Sequence, residues 1–274
     1  MLAPTPEELA LADELIRAGE AASLLPLPSA TRPGFDLASA WRVAREIERR
    51  RIRLGDQPAG WKIGFTNRSI WPRYGVHQPI WGRVWRSTLV LLDGAEAVVS
   101  LSGLVQPRIE PEIVFGFARQ PASGMSEGEL LGCLAWVGHG VEVVHTHFAD
   151  WRFGAAADTV ADGGLHGRLI VGPRVPVGGW STLGRDLAAL KLTLQCDGRV
   201  VDRGTGAAVL DGPLDALRAW IAAMAESTPD WPVLPGDVVT TGTLTDAWPI
   251  APGETWTTHP DDPRVAGLSL RFWA

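Results

Sequence analysis

Cysteine is scarce: Cys133 and Cys196 are the only two in 274 residues. One falls in a helical pattern and the other in a strand pattern, so neither a disulfide framework nor a thiolate metal site is indicated. Long apolar runs are missing too. None approaches the ~20 residues of a membrane-spanning helix, and no membrane role is expected. Basic clusters are thin. The formal net charge is -6, and the richest basic stretch, Arg49-Arg50-Arg51 with Arg53, sits in a helical pattern. Nucleic acid is therefore not an expected partner. Met1-Leu2-Ala3-Pro4-Thr5 lacks a charged start followed by an apolar signal core, so the expectation is a cytoplasmic protein. Also absent are a GxGxxG fingerprint, a P-loop, a GxSxG elbow and any internal repeat.

What is there suits a globular chain. Hydrophobic residues make up 46% and charged ones 20%, enough for a sizeable core and too apolar for disorder. The length fits one large domain or one domain with a helical appendage. The chain carries 13 Trp spread along its length, which are expected to fill core or interface.

The N-terminal part reads as helical. Thr5 caps a first helix, with Pro6 at its first position and Glu8 completing a capping box. Leu9, Ala12, Leu15 and Ile16 form its stripe. After a Pro-rich connector from Pro26 to Pro33, Asp36 caps a second helix with Leu37, Ala40, Trp41, Ala44 and Ile47 at helical spacing. From Gly55 the period changes to short strands separated by Gly and Pro turns. Trp61 to Phe65, Thr88 to Leu92, Ala97 to Leu101, Arg168 to Val171, Lys191 to Gln195, Val238 to Thr241 and Leu268 to Phe272 all read as strands. Asp197-Gly198 is a tight hairpin turn. Ser126 opens a further helix with Leu130, Leu131, Leu134 and Val137 on its core side, ended by Gly138 and Gly140. Another helix carries Leu214, Leu217, Ile221 and Met224. The pattern argues for an α+β or mainly-β core, not alternating βαβ units.

One strand carries the chemistry. In Arg108-Ile109-Glu110-Pro111-Glu112-Ile113-Val114-Phe115, side chains alternate between two faces. Ile109, Ile113 and Phe115 share one, and Glu110 and Glu112 share the other, about 7 Å apart at roughly 3.3 Å per residue. Like charges on one face repel, so a compensating group is required: Arg108 in part, or a divalent cation with oxygen ligands. The alternative is a solvated edge strand, which Pro111 would favour. Further along, Gly140-Val141-Glu142-Val143-Val144 reads as a buried strand with one acid. A carboxylate there without a partner would cost several kcal/mol, so Glu142 should meet a cation or a basic side chain. Lys62, alone in a short strand, is either a snorkelling surface residue or a lysine drawn into a site.

Several of these segments together resemble a known family. Gly60-Trp61-Lys62-Ile63-Gly64-Phe65-Thr66-Asn67 is similar to the G-[YHW]-K-[IVL]-G-[LF]-T-[SN] motif of the 2-keto-4-pentenoate hydratase / 4-oxalocrotonate decarboxylase family, within the fumarylacetoacetate hydrolase superfamily. Gly75 to Gly82 resembles its G-V-D-x-P-x-x-G loop. Ile109 to Glu112 resembles its [VI]-E-[PA]-E strand, and Gly140 to Val144 with Asp150-Trp151 its E-I-V-x-x-R-x-x-D-W segment. Ala161-Asp162 falls where it has A-D-N. Gly206 to Leu214, Gly236 to Val239, Gly242 to Thr245 and Pro252 to Glu254 resemble its C-terminal half.

The resemblance implies a mixed β-roll core over 56–274 with an N-terminal helical appendage over 1–55. It also implies a Mg²⁺ or Mn²⁺ site made by Glu110, Glu112 and Glu142, with Lys62 beside the metal-bound substrate as acid/base or carboxylate anchor. Thr243, Asp162 and Arg68 are candidate substrate contacts, and His77 a candidate catalytic residue. The implied reaction is hydration of a 2-hydroxy-2,4-dienoate, a step of aromatic catabolism, with a small 2-oxo acid as partner. A homo-oligomer is expected, with association to a related lyase as a further option. The chain departs from the family where protons and substrate are handled. His77 stands for the usual Asp, His147 for the usual Arg, and Gly163 for the usual Asn. Three other readings stay open: a 2-oxo-3-enedioate decarboxylase, which needs a cation such as Arg68, Arg73 or Arg168 for a second carboxylate; an acylpyruvate hydrolase using a His–Glu pair from His77 or His166; and an inactive partner subunit.

Overall fold

The computed structural model of the chain describes residues 3–274. Met1 and Leu2, part of the stretch read for a signal core, lie outside the described residues. The chain opens with α1 (Pro6–Ala21), α2 (Pro28–Thr31) and α3 (Leu37–Arg53). Strands β1 (Pro58–Gly64), β2 (Ile80–Trp85), β3 (Leu89–Leu91), β4 (Glu96–Ser100) and β5 (Arg108–Phe117) follow, with α4 (Trp71–Tyr74) between the first two. Then come α5 (Glu127–Leu131), β6 (Leu134–Val144), α6 (Ala156–Ala161), β7 (His166–Pro176) and α7 (Leu183–Ala189). The C-terminal part holds β8 (Lys191–Cys196), β9 (Arg199–Thr205), α8 (Pro213–Ser227), β10 (Val238–Thr243), β11 (Trp248–Pro249), β12 (Thr255–Pro260) and β13 (Ser269–Trp273).

Both N-terminal helices start where their caps predict. Thr5 and Glu8 exchange backbone-to-side-chain hydrogen bonds, and Asp36 Oδ1 accepts from the Ser39 N–H at 2.8 Å. The helices are fastened to the strands at several points. Trp41 on α3 stacks on Trp81 of β2 with ring centroids 4.4 Å apart, and Glu48 pairs with Arg83 at 2.8 Å. The buried Asp158 of α6 accepts from both the backbone and the hydroxyl of Ser29. Residues on both sides of position 55 share one apolar cluster. Much of that joint is tryptophan: Trp41, Trp61, Trp81, Trp220 and Trp231 contact one another in a chain. The aromatic surplus is core filling, as expected.

Two mixed sheets make the α+β roll. The larger runs β2-β1-β10-β5-β6-β7-β3, with β11 also on β5; the smaller runs β4-β13-β12-β8-β9. Strand β5 is therefore central, which rules out the solvated-edge reading. Pro111 is accommodated because the β10·β5 register shifts between Thr240 and Thr243, a bulge that relaxes the demand for a ladder N–H.

One expected element is corrected. The helix after Ser126 ends at Leu131, and Leu134 to Val144 is strand. The capping box starts the helix as read. Beyond it, Gly132, Gly138 and Gly140 lower helix propensity, and pairing of this run with both β5 and β7 outweighs the helical spacing of Leu130, Leu134 and Val137.

The bulge has a chemical consequence. Gly242 sits in it at φ 102°, and its N–H donates to Glu112 Oε2 at 2.7 Å. A Cβ on Gly242 would lie 2.0 Å from Thr66 Oγ1. Gly242→Ala is expected to lower stability by about 1–3 kcal/mol through backbone strain alone, and more through the clash; urea unfolding measures it.

Candidate metal centre

Register brings the carboxylates together. Glu110 on β5 lies directly opposite Glu142 on β6, and Glu112 lies opposite Thr243 on β10. Opposed like charges on adjacent strands destabilise a sheet unless compensated. Oxygen atoms of Glu110, Glu112 and Glu142 all lie within 4.8 Å of one another. Glu112 and Glu142 are fully buried, and among the described residues Glu112 Oε1 has no hydrogen-bond partner. An orphaned, buried carboxylate oxygen beside two more carboxylates fits a hard divalent cation, which takes oxygen ligands and retains open positions.

Lys62 completes the cluster. It lies on β1, separated from β5 by β10, is only 3% exposed, and places Nζ 2.9 Å from Glu142 Oε2. The surface-lysine reading is thus excluded. Burial alone pulls its pKa down, but Glu142, Glu110 and Glu112 together outweigh burial and raise it, so Lys62 stays an ammonium. The acids respond unequally. Burial and then Glu142 push Glu110 up to about 7 despite Lys62. Burial, Glu142 and Glu110 raise Glu112 well above the usual carboxylate range. Glu142 is pushed up by burial, yet Lys62 and a hydrogen bond from His166 leave it below its ordinary value. The cluster thus holds one firm carboxylate and two that keep protons readily without a cation.

A cavity of about 440 Å³ opens over this floor. Lys62, Glu110, Gly242 and Thr243 line it, with Phe65, Tyr74, Trp151 and Phe153 farther along and Arg73 and Arg203 among its residues. Burial grades it: Lys62 and Gly242 are buried, the four aromatics half-buried, and the two arginines exposed. The reactive end is therefore deep, and the outer lining carries both signs of charge, Arg73 and Arg203 together with Asp202 and Asp246.

Comparison with known proteins fits this geometry. No family model matches the chain. A 2-keto-4-pentenoate hydratase of Burkholderia vietnamiensis is 34% identical over 217 residues, 78% of each chain. A 4-oxalocrotonate decarboxylase of Pseudomonas sp is 32% identical over 188 residues, 67% of this chain and 70% of the relative. The chain belongs to the 2-keto-4-pentenoate hydratase / 4-oxalocrotonate decarboxylase family. In the solved structures, 4-oxalocrotonate decarboxylase from Pseudomonas putida G7, complexed with magnesium and adipate, superposes with a TM-score of 0.87 over 97% of both chains at 29% identity. Fumarylpyruvate hydrolase from Pseudomonas aeruginosa, at 14% identity, shares the fold alone, with a TM-score of 0.54 over 78% of this chain and 88% of that one. The expected family and the fumarylacetoacetate hydrolase fold are both borne out.

Not every candidate site residue reaches the cavity. Lys62, Glu110 and Thr243 line it. His77 is exposed in the loop between α4 and β2 and is not among the lining residues. Arg68 is exposed and pairs with Asp211 at 2.7 Å, away from the cavity. Asp162 does not line it either; its carboxylate is taken by His147 Nδ1 at 2.6 Å, the His147 N–H and the Thr146 hydroxyl. The turn after Asp162 does reach the wall, through Gly164 and Leu165. That turn packs against β2 so closely that a Cβ on Gly82 would lie 2.1 Å from the Gly163 carbonyl oxygen. His147, which stands for the family's Arg, is thus the partner of Asp162. One contributor was not singled out from the sequence: the Gly242 amide on Glu112, whose signal is a glycine at the end of a strand run. His166, named from the sequence only for a hydrolase-type His–Glu pair, does meet a glutamate, with Nδ1 2.7 Å from Glu142 Oε1.

Proposed function

We propose that this chain is a divalent-metal-dependent lyase of the 2-oxo acid type that hydrates a 2-hydroxy-2,4-dienoate. The observation that carries this reading is the buried Lys62 ammonium on the cavity floor, 2.9 Å from one of three clustered carboxylates, another of which has a bare oxygen. Glu110, Glu112 and Glu142 would hold Mg²⁺ or Mn²⁺, whose Lewis acidity polarises a 2-oxo group. The neighbouring solved structures are complexed with magnesium or calcium.

The chain's own groups supply the rest. Lys62 Nζ is the proton-bearing atom at the buried end and serves as acid toward the dienol or as anchor for the substrate carboxylate. Ketonisation of the dienol leaves an electron-poor alkene, to which water adds. Thr243 lines the cavity, and its hydroxyl, which accepts from the Thr245 N–H at 3.3 Å, would donate to the substrate's acid end. The half-buried Phe65, Tyr74, Trp151 and Phe153 shield the hydrocarbon end.

A second reading has its own support. A 2-oxo-3-enedioate decarboxylase must hold a second carboxylate, and Arg73 and Arg203 stand among the cavity residues. Of the other cations considered, Arg68 pairs with Asp211, and Arg168 donates to the carbonyls of Ser100 and Ser102. For the hydrolase reading, His77 is exposed and outside the cavity lining, whereas His166 forms a His–Glu pair with Glu142 at 2.7 Å but is not itself among the lining residues. Purified Mn²⁺-loaded protein is expected to consume 2-hydroxypenta-2,4-dienoate, followed by ultraviolet absorbance, and to stop when EDTA removes the metal. Turnover of 2-oxo-3-hexenedioate with release of CO₂ instead, weakened by Arg73→Ala through KM, would select the decarboxylase. Metal-dependent loss of neither signal would contradict both.

A further inference from the structure

The two fully buried glutamates share a pattern: in each, an N–H donor pins one oxygen and the other oxygen faces the cluster. For Glu112 the donor is the Gly242 N–H on Oε2, and Oε1 is bare. For Glu142 it is His166, whose Nδ1 lies 2.7 Å from Oε1, while Oε2 faces Lys62. The His166 ring is itself held at its far side, with Nε2 2.8 Å from Thr88 Oγ1, and its side chain is 3% exposed. A carboxylate at Nδ1 places a ring proton there, and Nε2 meets Thr88 Oγ1, which is itself tied to the Trp85 carbonyl at 3.1 Å. With both nitrogens engaged, the ring cannot turn without breaking a buried hydrogen bond. Rotation of the Glu142 carboxyl would break the bond from Nδ1.

We propose that His166 is a positioning residue for the metal site: its Nδ1–H fixes Glu142 so that Oε2 alone is presented to the cation. The inference rests on Glu142 being a metal ligand. His166 does not touch the substrate cavity; its other neighbours include the small tryptophan-lined cavity beneath α3, with Trp41, Trp81 and Trp231. It therefore acts through Glu142, as the donors behind metal ligands do, where their loss costs 10–100-fold in metal affinity or activity.

Two substitutions separate this role from packing. In His166→Asn the amide nitrogen falls near the place of Nδ1, retaining the donor to Glu142 and losing Thr88. In His166→Gln the amide falls near Nε2, retaining Thr88 and losing the donor to Glu142. Mn²⁺ affinity is read from the electron paramagnetic resonance signal of free Mn²⁺, and thermal unfolding checks that each variant is folded. The expected result is a Kd raised about 10–100-fold in His166→Gln and close to that of the unaltered protein in His166→Asn. Unchanged affinity in His166→Gln would overturn the proposal, as would equal weakening in both variants. Absence of Mn²⁺ binding by the unaltered protein would overturn the metal-site reading along with it.

Discussion

Replacing Lys62 by methionine is expected to lower turnover by about 10²–10⁴-fold, the usual contribution of a positioned acid or base, without weakening the hold on Mn²⁺. Methionine keeps an unbranched stem in a position that is only 3% exposed, so packing changes little. What disappears is the ammonium 2.9 Å from Glu142 Oε2. That ammonium is the cation the three carboxylates share in the metal-free protein, and its removal takes away a competitor for the metal. Steady-state kinetics and Mn²⁺ titration should therefore diverge, with kcat falling and Kd unchanged or lower. The metal-free variant should also lose stability, by as much as about 3 kcal/mol, because a buried ion pair is broken. Undiminished kcat would remove Lys62 from the mechanism. A rise in Kd matching the fall in turnover would make it a metal-site residue instead.

Glu112→Gln should have the opposite profile. Metal binding and activity should both collapse, with Mn²⁺ affinity falling by more than the 10–100-fold typical of losing an outer partner, because a direct ligand is lost. The metal-free protein should become more stable. The folded-state pKa of Glu112 lies well above the value of 4.5 proper to the unfolded chain, because burial and the neighbouring Glu142 and Glu110 oppose its ionisation. The folded protein then holds a proton that the unfolded chain releases, so this group's contribution falls as pH rises from about 4.5 toward the raised folded-state pKa. Glutamine has no proton to lose and can still accept from the Gly242 N–H. The stability gap between variant and unaltered protein should thus widen as pH rises above about 4.5 without metal. Glu142, with its depressed pKa, acts in the other sense and in a lower window: its contribution is lost as pH falls below about 4.5. Thermal unfolding across pH, with and without saturating Mn²⁺, measures both trends. A gap that stays flat with pH would show that Glu112 is ionised in the folded protein.

The fold was largely legible because its signals are local. The Thr5 and Asp36 caps, the change of period after Gly55 and the Asp197-Gly198 turn all depend on residues a few positions apart, and each stands where the pattern puts it. The segment from Ser126 shows the limit. Its cap is local and held, whereas the strand beyond Gly132 is decided by β5 and β7 on either side. The site divides in the same way. Alternation along β5 put Glu110 and Glu112 on one face, and burial required a partner for Glu142. That Glu110 faces Glu142 across the ladder, and that Lys62 arrives from beyond β10, follow from register and strand order, which the bare sequence does not carry. Lys62 and Thr243, named from motif matches, line the cavity. His77, named the same way, and Arg68, named as a cation for a second carboxylate, are exposed and absent from the lining. A loop's place in the chain can follow a family pattern while a changed residue within it, such as His77, lies elsewhere.

Central to all of this is a cation held by Glu110, Glu112 and Glu142. The most direct test is Mn²⁺ titration of the metal-free protein, followed by electron paramagnetic resonance, beside Glu110→Gln, Glu112→Gln and Glu142→Gln. One Mn²⁺ bound per chain, with affinity lost in each of the three variants, is the predicted result. Stoichiometric binding that survives all three substitutions, or no binding by the unaltered protein, would contradict it.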